Sequence, residues 1–119
     1  MTHQNPSPLG YMISAFLLGL VYIALGVPLA LRKIAPNGLY GFRVNKTLND
    51  PKTWYEANAY AGRAFIWSGA ATALLALCIP YVASHIIKGP RVLGVFALAV
   101  ELVPMLVGVV ASFVYLSRL

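Results

Sequence analysis

RKIAPNGLYGFRVNKTLNDPKTWYEANAYAGR, residues 32–63, is the one long polar stretch in a chain of 119 residues, and it carries six of the nine Lys and Arg and two of the three acids. The chain on either side of it is apolar. Sixty per cent of all residues are hydrophobic and 10% are charged, against roughly a quarter charged in an ordinary soluble domain. A water-soluble domain this small cannot hide so much apolar surface, because small domains leave a large share of their area exposed. The composition specifies an integral membrane protein, and the length allows one domain.

Working outward, residues 9–31 are uncharged and long enough, at about 1.5 Å per residue, to cross a hydrocarbon core of ~30 Å. Two further spans are expected at about 61–83 and 92–115. The expected fold class is all-α, a three-helix membrane bundle with a loop and a helical extension between the first and second spans. Residues 1–8 are polar and lack Lys and Arg, so no cleaved signal peptide is expected.

Within the polar stretch, Pro36-Asn37-Gly38 reads as a turn, with Asn and Gly able to take positive φ. Residues 38–49 show no helical period and read as loop, with a short extended piece around 40–44. Asn49-Asp50-Pro51 reads as a helix start, Asp50 capping exposed amides and Pro51 at the first position, where its missing N–H costs nothing. Nothing breaks that helix before the second span. Pro80 is expected to kink or end it, and Gly89-Pro90 marks the turn into the third span.

Each span carries a stripe of small residues. Ala15, Gly19, Gly26 and Ala30 share one side of the first helix, and Asn58, Gly62, Gly69, Ala73 and Ala76 share one side of the second. Small faces let helices approach closely in lipid. They are open here to packing within the chain, to a homo-oligomer, or to docking in a larger membrane assembly.

The net charge of +6 accompanies no nucleic-acid motif, so no direct nucleic-acid partner is expected. The side of the membrane holding residues 32–63 and the C-terminus has seven Lys and Arg against two, Lys88 and Arg91, on the other. That imbalance places the N-terminus outside and the long loop and C-terminus in the cytoplasm.

Glu101 is the one intramembrane acid, near the centre of the third span. Gly94, Ala97, Pro104, Gly108 and Ser112 lie on its side of the helix, so it is expected to face other helices. Such a residue is either a proton or ion site or a protonated acid hydrogen-bonded to a neighbour such as Thr72.

Pro36, Asn37, Gly41, Arg43, Thr47, Trp54, Asn58 and Gly62 form the pattern P-N-x3-G-x-R-x3-T-x6-W-x3-N-x3-G. This pattern, over residues 31–71, resembles the SdpI family of small bacterial membrane proteins. The resemblance implies a multi-pass protein of the bacterial cell (inner) membrane. It also implies immunity to a membrane-active peptide toxin or a signalling response to one, since the family's best-known member is an immunity protein that also helps hold an autorepressor at the membrane. That member looks like a longer chain with extra N-terminal spans.

The residues themselves favour binding over catalysis. Arg43 is a fixed cation whose planar fork suits an anionic lipid headgroup or a partner's carboxylate. Alternatively the loop packs on itself, with Arg43 paired to Asp50 or Glu56. A cytoplasmic regulator protein is a further possible partner. No enzyme is expected, since the Ser and Thr residues lack a nearby base. No catalytic residue, cofactor or metal is expected either: His3 and His85 are remote from the acids and read as solvated or interfacial, and Cys78 is a lone thiol in an apolar run. Two other classes of function remain, a small oligomeric proton- or ion-coupled transport unit using Glu101, and a structural subunit of a larger membrane complex.

Overall fold

A computed structural model describes residues 7–119. The polar N-terminal residues 1–6, His3 among them, lie outside the described residues. The described chain forms α1 (Pro8–Ala30), α2 (Asn45–Leu48), α3 (Pro51–Ala76), α4 (Ile79–His85) and α5 (Pro90–Ser117). Three stretches, Pro8–Ala30, Pro51–His85 and Pro90–Ser117, are long and apolar enough to cross a membrane. The molecule is 55 Å long, more than the ~40–45 Å of a bilayer with its headgroups.

The helix boundaries follow local chemistry. Ser7 caps α1, its hydroxyl accepting from the amide of Gly10 at 3.0 Å. At the other end Arg32 takes the left-handed conformation, φ 60°. Its amide and that of Lys33 then turn back onto the carbonyls of Leu29 and Pro28, at 3.1 and 3.0 Å. This is the paired closure that glycine usually makes; here an arginine makes it. Asp50 caps α3 as expected, accepting from Lys52 N at 3.3 Å with Pro51 at the first position. The extension and second span are one helix, which breaks after Ala76 and resumes as α4 with Pro80 in its first turn.

Two local expectations are corrected. Residues 45–48, read as loop, form one helical turn, too short to show a hydrophobic period. Residues 40–44 are not a strand: among the described residues there are none, and the amides of Tyr40, Phe42 and Val44 go to side chains instead. Among the glycines, positive φ falls on Gly41 (123°) and Gly89 (103°), not on Gly38.

The small faces of α1 and α3 are turned on each other. A Cβ at Gly19 would lie 2.6 Å from the carbonyl oxygen of Gly69, and one at Gly26 would run into the carbonyl of Gly62. The two backbones touch directly, so these faces are used within the chain. α5 packs on α3 and meets α1 mainly at the end remote from the loop. There Ala15, Ala76, Ile79, Leu93, Ala97 and Val100 form a common core.

Polar side chains fasten α5 around its internal proline. Pro104 has no N–H, so the carbonyl of Val100, four residues earlier, loses its helical donor. Thr72 of α3 supplies one, its hydroxyl donating at 3.0 Å. Tyr22 of α1 donates to the carbonyl of Glu101 at 2.9 Å, and Ser68 of α3 donates to that of Pro104 at 2.8 Å. One hydroxyl satisfies the carbonyl that the proline leaves open, as a spanning helix requires, and the other two fasten the same stretch of α5 to α1 and α3.

Candidate functional site

Five motif residues, Asn37, Gly41, Thr47, Trp54 and Asn58, come together in a cap over one end of the bundle. Asn37 folds the first turn on itself. Its side-chain oxygen accepts from the amides of Leu39 and Tyr40 at 2.8 and 2.7 Å, and its nitrogen donates to the carbonyls of Ala35 and Tyr40 at 2.8 and 2.9 Å. Such closure by a short amide side chain is why Asn is favoured in turns. Pro36 precedes it, exposed.

Trp54 and Asn58, one turn apart on α3, tie that turn to the helix. Trp54 is fully buried (0% exposed) and its indole nitrogen donates to the carbonyl of Ile34 at 2.8 Å. Asn58, also buried, accepts from Phe42 N at 2.6 Å and donates to the carbonyls of Trp54 and Phe42 at 3.0 and 3.4 Å. The hydroxyl of Thr47 completes the grip on Phe42, donating to its carbonyl at 2.7 Å while accepting from Val44 N at 3.0 Å. Gly41 has to be glycine on two counts. Its φ is positive, and a Cβ would sit 2.8 Å from the side-chain oxygen of Asn58 and 3.0 Å from the Trp54 ring.

The centre of the cap is thus the backbone of Phe42, an unassigned position in the motif. Its ring meets Phe113 of α5 edge-on, centroids 4.8 Å apart. Sequence reasoning passed over Phe42 because a carbonyl and an amide leave no trace in residue type; the only signal was an aromatic inside a polar loop. Lys46 was also missed. Its ammonium donates to the carbonyl of Leu116 at 2.8 Å, at the C-terminal end of α5, where a cation is favoured.

Arg43 differs from the other polar residues of the motif in facing outward. It is exposed, and its Nε donates to the carbonyl of Asn37 at 3.0 Å. The pairing with Asp50 or Glu56 weighed from sequence gives way to this bond, because the Asn37 turn brings a carbonyl closer than either acid. Asp50 is engaged elsewhere, accepting from the Thr53 hydroxyl at 2.8 Å. That hydroxyl, with the amides of Lys52 and Thr53 and the Lys52 charge, holds its carboxyl below the usual range.

Two predicted site residues stand apart from the cap. Gly62 is in the bundle, where a Cβ would meet the backbone of α1 at Ala30 and Gly26. Glu101 is half-buried in mid-helix. The hydrogen bond to Thr72 weighed from sequence as one of two roles for its carboxyl is not made, because the Thr72 hydroxyl serves the Val100 carbonyl that Pro104 leaves open. Among the described residues no cluster of His, Cys, Asp and Glu could hold a metal ion. His85 is exposed and stacks on Tyr81 at 4.3 Å; Cys78 is exposed too.

Compared with known protein families, residues 33–116 match the model of the SdpI/YfhL protein family. The chain belongs to that family. The match runs beyond the polar motif through α3, α4 and nearly all of α5, so the third span and Glu101 are part of the SdpI unit as well. No curated protein and no solved structure matches the chain significantly.

Proposed function

We propose that this SdpI-family protein confers resistance to a membrane-active peptide toxin, or signals its presence, without catalysing a reaction. In this reading it sits in the bacterial cell membrane with the N-terminus outside and the cap and C-terminus in the cytoplasm. The excess of Lys and Arg at the cap end supports that orientation. The observation that carries the reading is Arg43: the one charged residue of the motif is presented outward by a cap whose other polar groups are bonded to one another. Such a cap is suited to offering a cation to an anionic headgroup or to an acidic surface of a cytoplasmic regulator. Deleting the gene should sensitise the host to at least one secreted peptide, and Arg43→Ala should reproduce the deletion. Killing curves that match wild type for both strains across a toxin panel would sink the reading.

A second reading, a small oligomeric proton- or ion-coupled unit, draws support from Glu101. Its half-buried carboxyl is left to itself by Thr72, and intramembrane acids commonly lie on ion paths. Flux into liposomes that Glu101→Gln abolishes would favour it; flux equal to that of empty vesicles would remove it.

A further inference from the structure

We propose that the wedge beneath the cap holds one acyl chain of an anionic phospholipid whose phosphate is gripped by Arg43. The inference builds on the reading of Arg43 as lipid-facing but is independent of any role in toxin immunity.

The wedge follows from how the helices cross. α1 and α5 are joined where the Tyr22 hydroxyl meets the Glu101 carbonyl. From there toward the cap they are separated by a pocket of about 320 Å³. Its walls begin one turn on, at Leu25 and Met105, and α3 closes the back with Phe65 and Ser68. The cap residues Tyr40, Gly41 and Phe42 form the roof.

The lining selects hydrocarbon over water. A buried water needs two to four polar partners, and the three lining hydroxyls are already committed, that of Tyr40 to the carbonyl of Leu25. Ser68 donates to the carbonyl of Pro104 and Ser112 to that of Gly108, each at 2.8 Å. The remaining walls are apolar side chains and small residues. The rim is exposed outward, with Leu25 at 43%, Phe113 at 51% and Leu39 at 95%. Leu25 lies seven residues before Arg32, so by helical rise the opening reaches ~10 Å below the polar boundary. At that depth the surrounding solvent is lipid tails.

The charge beside the roof selects the headgroup. Arg43 directly follows the roof residue Phe42, and its hydrogen bond to the Asn37 carbonyl uses Nε, which leaves both terminal nitrogens for a bidentate grip on phosphate. Arg32 and Lys33, both exposed, follow the end of α1 at the same end of the bundle as the cap. Because Asn58 and Thr47 immobilise the roof through Phe42, the cation and the apolar slot are held in one geometry before a lipid arrives.

The test is native mass spectrometry of the full chain released from detergent, titrated with dioleoyl phosphatidylglycerol or dioleoyl phosphatidylcholine. Helicity and monodispersity of each variant are checked in parallel. The expected result is one saturable lipid per chain, with phosphatidylglycerol preferred. Val109→Trp, which fills the slot from α5, should weaken both lipids by about tenfold, since excluding about two methylenes suffices for that. Met105→Phe is the second filler should the tryptophan disturb folding. Arg43→Gln should cut the preference for phosphatidylglycerol by about fivefold, as expected for one cation near the surface, while phosphatidylcholine binding stays. Unchanged lipid binding by a folded, slot-filled variant, or an undiminished preference in Arg43→Gln, would overturn the proposal. So would a dimer signal, in place of the lipid adduct, that the fillers abolish. Immunity assays that fail while these results hold would count against the toxin reading alone.

Discussion

The hydroxyl of Thr72 lies 3.0 Å from the carbonyl oxygen of Val100, the carbonyl that Pro104 deprives of its helical hydrogen bond. An interhelical contact thereby substitutes for a missing intrahelical one. The contact also explains why a proline is tolerated in the middle of α5 and why Glu101, its neighbour in sequence, has no claim on Thr72.

Thr72→Val should destabilise the bundle by about 1 kcal/mol, typical of a buried interhelical hydrogen bond in a membrane protein. Pro104→Ala restores an N–H to Val100, so the same Thr72→Val change should cost much less in that background. Unfolding of the four chains in mixed micelles gives the coupling directly. Equal costs in both backgrounds would show that Thr72 does not serve the proline gap.

Glycines in this chain divide sharply by what surrounds them. Gly69→Val should cost about 3 kcal/mol or more, because the new Cβ runs into the backbone of α1 at Gly19 and Ile23. Gly38→Ala meets nothing within 4 Å and needs no positive φ, so it should be neutral or stabilising by up to about 1 kcal/mol. Thermal denaturation in detergent distinguishes the two.

Asn58→Leu removes three hydrogen bonds at once and leaves the half-buried amide of Phe42 without its partner, while the Phe42 carbonyl keeps the Thr47 hydroxyl. The expected loss is about 2 kcal/mol, felt locally. Hydrogen exchange at Phe42 should quicken while amides in the middle of α1 stay protected. A uniform change along the chain would mean that the cap is not a unit.

Acid should loosen the start of α3. The folded Asp50 carboxyl is held below its ordinary value, first by the Thr53 hydroxyl and then, against an opposing effect of desolvation, by the amides of Lys52 and Thr53 and the Lys52 charge. A lowered folded value means that the contribution is present above the unfolded pKa of ~4 and is lost as pH falls through the folded one. Exchange of the amides at the start of α3 should therefore speed up on acidification in wild type. In Asp50→Asn, which caps without titrating, it should lose most of its pH dependence.

Much of the architecture was legible before any coordinates. Charge-free runs marked the spans, Asp50-Pro51 marked the start of α3, and Pro80 its interruption, because each depends on residues adjacent in the chain. The one-turn α2 escaped notice, since four residues are too few for a period to show and the turn is held by Thr47 reaching back to Phe42 and Val44. The motif identified the residues of the cap but not what they grip: Asn58 and Thr47 act on the backbone of Phe42, and backbone groups are the same at every position.

By itself the sequence determined that this is a membrane protein of three spans with a polar cap between the first two, because hydropathy and capping are local properties. It also marked the small faces on α1 and α3. Only the tertiary structure decided that those faces meet each other, glycine against glycine. That close approach sets the crossing of the helices, and the crossing determines which hydroxyl reaches which carbonyl. It brings Thr72 to Val100 and Tyr22 to the Glu101 backbone, turns Arg43 outward over the cap, and leaves a wedge between α1 and α5. Partners across helices depend on register and angle, which are settled by packing and have no counterpart in any single segment of the chain.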